Sequence, residues 1–295
     1  MYKFVCASSL LLMSVSYAQD TAVQPASHVA SVVPPGQGVR FSSPTAKVGE
    51  RVVQRVGMEL HVHTVVKQSQ KIAHEGDTNM RSRQEREIEV LEMADGKAVR
   101  GKVKYLLSRH LSPENRKPDD EVAQPVEGKS YIITRKEERL LVTELDGAIP
   151  PRAEYDIVVN TMESFGQPNL LAAYLVPQEL HVGQRLQVPT DVAKKMMGFD
   201  SFGEVQKFEL HLQEVKDIGG KSCAIFMADI VAQGNAQNPL NVQASGQVII
   251  ELATCRTLEA TLKGPLSLIS VDKQTEYSAT GDLLLAIRSQ YAASN

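Results

Sequence analysis

Hydrophobic and polar residues alternate along much of this chain, most densely over residues 205–288. Val242, Ala244, Gly246, Val248, Ile250 and Leu252 fall on one side of an extended segment. Gln243, Ser245, Gln247 and Glu251 fall on the other, with Ile249 the exception. Successive strand side chains project to opposite faces, so a period of two marks a half-buried strand. Residues 208–212 alternate in the same way, and the Gly219-Gly220 pair that follows suits a tight hairpin. Residues 222–231 are apolar on both sides, which predicts a central strand covered on both faces, and 233–241 read as a polar loop. Leu258, Ala260 and Leu262 restart the alternation until Gly264-Pro265 breaks or bends the strand. Tyr277, Ala279, Gly281, Leu283, Leu285 and Ile287 line one side of the last strand. Five strands with short connections make an antiparallel meander. Its apolar side needs a cover: a second sheet, a helix or a ligand.

The earlier part of the chain carries a looser version of this pattern. Met58, Leu60, Val62, Thr64 and Val66 share one face, and Glu59, His61, His63 and Lys67 the other. Residues 68–81 read as a polar connection. Arg86, Ile88 and Val90 then alternate with Glu85, Glu87, Glu89 and Leu91. Asp95-Gly96 is a strong hairpin signal. Val99, Gly101, Val103, Tyr105 and Leu107 alternate with Arg100, Lys102 and Lys104. A charged excursion over 113–125 precedes a hairpin formed by 128–134 and 139–145. After Pro150-Pro151, residues 154–174 read as helical, split by Gly166-Gln167-Pro168-Asn169. Thr190 can cap a short helix ending at Gly198. Lys47-Val48-Gly49-Glu50-Arg51-Val52 is echoed by His181-Val182-Gly183-Gln184-Arg185-Leu186, each before a strand system, which points to two related halves. The expectation is a mainly β protein, with two antiparallel meander halves forming an open barrel or sandwich and a few short helices. Its parts are a signal peptide (1–18), a flexible linker (19–46), an N-terminal meander (47–146), a partly helical connection (147–180) and a C-terminal meander (181–290).

The N-terminus changes the picture. Lys3, an apolar stretch over 4–15, and Ser16-Tyr17-Ala18 before Gln19 have the form of a secretory signal peptide cleaved near Ala18. This predicts a secreted or periplasmic protein of bacterial character, with no transmembrane segment in the mature chain, since no later apolar run is long enough. Cleavage takes one Lys from the 32 basic residues and none from the 35 acidic ones, leaving a net charge near −4. An acidic chain without Trp argues against nucleic acid as a partner. Cys223 and Cys255 are the cysteines left in an oxidising compartment, as a disulfide or as two buried thiols.

Candidate chemistry is sparse. Gly128-Lys129-Ser130 and Gly220-Lys221-Ser222 look like the end of a phosphate-binding loop, but the required earlier glycine is Ala123 or Val215, so both read as hairpin turns. No nucleophile motif is present. Glu59, His61 and His63 project from one strand face, and two imidazoles with a carboxylate could bind zinc as in a metal-dependent hydrolase. The competing reading is a charged outer face, with Glu85, Glu87 and Glu89 on the next strand and Arg100, Lys102 and Lys104 on the one after. Leu60, Val62, Tyr105, Leu210, Leu212, Val248, Ile250 and Leu283 point inward, either as closed core or as the lining of a lipid-sized cavity.

The V-G-x-R openings, the passage from Phe165-Gly166-Gln167-Pro168-Asn169 to Pro177, and the Gly246 to Gly264 hairpin with Cys255-Arg256 resemble a class of uncharacterised bacterial secreted β-rich proteins. Many of that class carry Gly-Arg at the position of Cys255-Arg256. The resemblance implies no catalytic residues and no cofactor. At the level of fold, the pattern is more distantly similar to the periplasmic lipoprotein-carrier half-barrels. The expected function is a non-enzymatic, exported cell-envelope binding or scaffold protein. The alternative is a periplasmic carrier of lipid or another hydrophobic ligand. The expected partner is correspondingly an envelope protein or a hydrophobic small molecule.

Overall fold

The computed structural model describes residues 38–111, 121–137, 139–197, 203–235, 239–272 and 274–292. The expected signal peptide and residues 19–37 of the expected linker lie outside them. In chain order the elements are β1 (Val39–Arg40), β2 (Arg51–Gln68), β3 (Lys71–Ala94), β4 (Lys97–Leu111), β5 (Val122–Ala123), β6 (Ser130–Lys136), β7 (Arg139–Thr143), α1 (Arg152–Met162) and α2 (Leu170–Leu175). Then come β8 (Glu179–Leu180), β9 (Arg185–Gln187), α3 (Thr190–Met197), β10 (Gly203–Ile218), β11 (Lys221–Gly234), β12 (Leu240–Glu251), β13 (Thr257–Asp272) and β14 (Thr275–Ala292). The protein is mainly β, antiparallel, with a few short helices.

Neighbouring strands run in the order β7-β6-β4-β3-β2-β14-β13-β12-β11-β10-β9, with β5 beside β4. The first and last long strands of the chain, β2 and β14, pair from Arg51↔Ala292 to Gln68↔Thr275. That pairing makes one sheet of the two meanders. β7 and β9 end the sheet without meeting, so it is open.

The two V-G-x-R segments form the same turn. Gly49 (φ 80°) and Gly183 (φ 90°) take the left-handed conformation that glycine adopts without steric cost. The Gly49 N–H donates to Val90 O at 2.8 Å, and the Val90 N–H returns to Glu50 O at 2.9 Å. The Gly183 N–H donates to Leu212 O at 2.8 Å, and the Leu212 N–H returns to Gln184 O at 2.9 Å. The side chain at the next position also caps the turn in both, Glu50 accepting from the Lys47 N–H and Gln184 from the His181 N–H. The copies then diverge. β2 runs on for 18 residues, whereas β9 stops after three. Pro189 follows, cannot donate to a ladder, and leads into α3.

Two expectations need correction, and a third is narrowed. Residues 71–81 are strand rather than connection, because β2 turns back at Ser69 and Gln70, both at positive φ, and holds β3 in register. The linker does not extend to residue 46. β1 pairs with β8, and Phe41 is buried in a stack on Phe226 at 6.2 Å. Of the two alternatives at Gly264-Pro265, β13 bends and is not broken. Its pairing with β14 continues, while the ladder to β12 opens between Val242↔Leu266 and Ser245↔Lys263, where proline has no N–H to give.

The sheet bends along a diagonal of glycines. Gly246 of β12 lies opposite Leu262, Gly264 two residues on in β13 opposite Leu283, and Gly281 two residues back in β14 opposite Val62. A Cβ at these positions would stand 1.8 Å from Thr261 O, 2.0 Å from Gln243 O and 1.8 Å from His61 O. Glycine thus lets each strand coil into its neighbour, a device that curves a sheet.

The helices cover one face, termed inner. Residues of α2 and α3 join a core with the inner residues of β9 to β14, Leu60 and Phe41. Val158 and Met162 of α1 join a second core with Ile88, Val103, Tyr105, Tyr131, Ile133 and Val142. α1 is fastened at Glu154, which accepts from Lys129 Nζ at 2.7 Å and from the Tyr131 hydroxyl at 2.5 Å. Burial raises this carboxyl's pKa, but the two hydrogen bonds outweigh it and hold it below the ordinary value.

Candidate functional site

The inner face carries seven of the eight inward candidates as buried residues. Leu60, Leu210, Leu212, Val248, Ile250 and Leu283 share the larger core, while Tyr105 belongs to the core under α1. Val62 is only partly buried, as are its apolar neighbours Met58 and Met80 on the same face. Met58, Leu60 and Val62 lie opposite Ser82, Met80 and Thr78 of β3 and Leu285, Leu283 and Gly281 of β14. An apolar lane therefore runs along β2, buried at Leu60 and partly open on either side of it.

At its inner end the lane meets a polar belt between the two cores. Gln54, Gln84, Arg86, Ser108 and Ser289 all face inward, and all but Gln54 are buried. Arg86 is 4% exposed. Its Nε and Nη2 donate to Gln54 Oε1 at 3.0 and 2.7 Å, and its Nη1 donates to Gln84 Oε1 at 3.1 Å and to the Thr161 carbonyl of α1. Tyr105 donates to Thr161 Oγ1 at 2.6 Å, since that hydroxyl gives its own proton to Ile157 O. Burial pushes the Arg86 pKa down, with the Tyr105 phenol opposing, and burial pushes Tyr105 up. Gln84 Nε2 donates to Ser108 Oγ at 3.3 Å, and Ser108 donates on to Gln124 Oε1 at 2.7 Å.

The outer face carries the other candidates. Glu59 pairs with Arg81 at 3.0 Å. His63 contacts Asp77 at 2.9 Å and Glu75 at 3.3 Å, and its pKa is raised, chiefly by the Asp77 hydrogen bond. His61 is exposed. Among the described residues no three His, Cys, Asp or Glu side chains are grouped to hold a metal. The surroundings are a charged ladder, although Glu85, Glu87 and Glu89 meet Arg55 and Arg51 of β2 rather than the β4 lysines. Cys223 and Cys255 are free and buried. Cys255 packs into the larger inner core, whereas Cys223 shares the outer side of β11 with Ile225 and Met227, so the sheet separates them. Ile225 lies opposite Ile249, which accounts for the apolar exception in β12. The cover expected over that outer face stops short of Met227, which is exposed.

No family model matches the sequence, and no curated protein matches it. Among solved structures the chain is similar to lipovitellin, in a structure concerned with its lipid–protein interactions, at 10% identity over 84% of this chain, with a TM-score of 0.37. The chain spans 26% of that lipovitellin chain. It is also similar to a LolA superfamily protein from Nitrosomonas europaea, at 11% identity over 83% of this chain and 87% of that one, with a TM-score of 0.14. Both likenesses are distant.

The polar belt was not among the residues singled out from the pattern, yet a trace of it is there. Arg86 alternates in phase with Ile88 and Val90, which places a cation on the apolar side of β3. Gln54 and Gln84 have no such mark, because neutral amides are common on either face of a strand.

Proposed function

We propose that this is an exported, non-enzymatic cell-envelope protein that carries a hydrophobic ligand on the inner face of its open sheet. The observation behind this reading is the lane along β2, where Met58, Val62 and Met80 stay partly uncovered against a buried apolar floor. Water contact at these side chains is unfavourable, at roughly 25 cal/mol per Å² of apolar surface, and a bound acyl or similar chain would remove it. Export rests on the form of residues 1–18, and among the described residues no helix is long and apolar enough to cross a membrane. The ligand class is argued from the apolar lining with few polar groups, which small-molecule sites share.

The test is direct. Mature protein purified without denaturant should yield a stoichiometric hydrophobic compound on organic extraction and mass spectrometry. Delipidated protein should take up a fluorescent fatty acid, and Val62→Glu should abolish uptake while leaving the circular-dichroism spectrum unchanged. An empty extract with no uptake would leave the inner face as a closed core and end the carrier reading.

A further inference from the structure

Arg86 is a buried cation whose partners are all neutral. Three partly buried cations elsewhere meet carboxylates: Lys129 meets Glu154, Arg83 meets Glu121, and Arg256 meets Glu50. Arg86 has two side-chain amides, one helix carbonyl and a phenol nearby, and no acid within ion-pair distance among the described residues. A guanidinium stays charged in proteins, and taking it out of water without a counter-charge is costly. Its neutral acceptors satisfy its N–H groups but leave its charge unbalanced, so hydrogen bonding alone is an incomplete reason for an arginine here. A group that completes the site by bringing negative charge is a better one.

Position supplies the rest. Arg86 lies opposite Gln54 of β2, at the head of the lane that passes Met58 and Leu60 to Val62. Eight residues of strand separate Gln54 from Val62, or about 26 Å. One leaflet of a bilayer's hydrocarbon core is about 15 Å, so an extended acyl chain fits within that length. Gln54 accepts from Arg86 through its oxygen, while its amide nitrogen makes no hydrogen bond among the described residues and remains a donor beside the guanidinium.

We propose that Arg86, with the Gln54 amide, receives the anionic headgroup of a single-chain amphiphile whose tail lies along Met58, Leu60 and Val62. This rests on the carrier reading and adds the chemical class of the ligand. The carboxylate accepts from the guanidinium and from Gln54 Nε2, in place of part of the neutral shell that Arg86 now holds. Charge-assisted, bidentate pairing of this kind is the strong form of the hydrogen bond.

The probes are a long-chain fatty acid, its methyl ester and acetate, each used to displace a bound fluorescent lipid from the delipidated, full mature protein at a pH where the acid is ionised. The acid should compete at least about tenfold better than the ester, and acetate should not compete. Arg86→Met should bind acid and ester alike, and it should melt below the wild type because Gln54 Oε1, Gln84 Oε1 and the Thr161 carbonyl lose their donor. Equal affinity of wild type for acid and ester overturns the headgroup assignment while leaving the carrier reading standing, as does an acid preference that survives in Arg86→Met. Competition by acetate overturns it in favour of a free-anion site. Binding of neither lipid removes both readings together. Should Arg86→Met fail to fold, the wild-type ratio still tests the assignment, since equal affinity for acid and ester overturns it.

Discussion

At Glu154 one carboxylate serves both a lysine and a buried tyrosine, and its removal should be felt in the helix it anchors. Glu154→Ala leaves the Tyr131 hydroxyl buried without its acceptor, at a cost of about 2–3 kcal/mol at neutral pH. Lys129 is half exposed and adds little. The folded pKa of Glu154 lies below the ordinary 4.5. Its contribution is therefore present above that value and disappears as pH falls through the folded pKa. The gap between wild type and variant in urea unfolding should narrow in that acid range; a gap independent of pH would show that the charge is irrelevant. The thiols give a second residue-scale test. Burial pushes Cys255 up to about 12 and raises Cys223 as well. Neither should react with a chromogenic thiol reagent at pH 8 until denaturant is added, and reduction should not change the protein's mass. Rapid native labelling or a mass shift would contradict the buried free thiols.

Among elements, the hairpins and the glycine diagonal do different work. Asp95-Gly96 and Gly219-Gly220 each place two consecutive residues at positive φ, the conformation of a two-residue hairpin loop. That chemistry is local and could be read from the residues alone. Gly281 has no comparable local signal, since its role is the close approach of His61 O from a strand more than 200 residues away. Gly281→Ala should cost about 2–3 kcal/mol, at the upper end of ordinary substitutions, seen as a lowered urea midpoint. A neutral result would mean that the sheet does not bend there. Phe41 makes the same point for β1. It lies in a stretch with the composition of a linker, yet Phe41→Ala should cost about 3–5 kcal/mol because its ring fills core beside Phe226. A change below 1 kcal/mol, roughly that of a surface site, would show that the segment is undocked.

For the whole molecule the decisive contact is β2 with β14. It fuses the meanders into one sheet along 18 residue pairs, and Arg256 adds a 2.5 Å ion pair to Glu50 while stacking 4.6 Å from the Tyr291 ring. The halves should therefore unfold together. Calorimetry and far-UV circular dichroism should trace one coincident transition, and two separated transitions would mean independent halves.

The sequence by itself determined most of what neighbours along the chain decide. The strand phases, the glycine hairpins, the split helix after Pro150-Pro151 and the repeated V-G-x-R turn follow from alternation, left-handed residues and breakers, all of which act within a few residues. The same alternation placed Leu60, Val62, Leu210 and Leu283 on the inner face and Glu59, His61 and His63 on the outer one. Only the tertiary structure decided that residues 71–81 are strand, that Phe41 is core, that the Cys223 and Cys255 thiols lie on opposite sides of a sheet, and that Arg86 is buried with no acid beside it among the described residues. The reason is common to all four. Backbone hydrogen bonds are available to every residue alike, so which distant strands pair is set by burial summed over the whole sheet, and no local pattern records that sum.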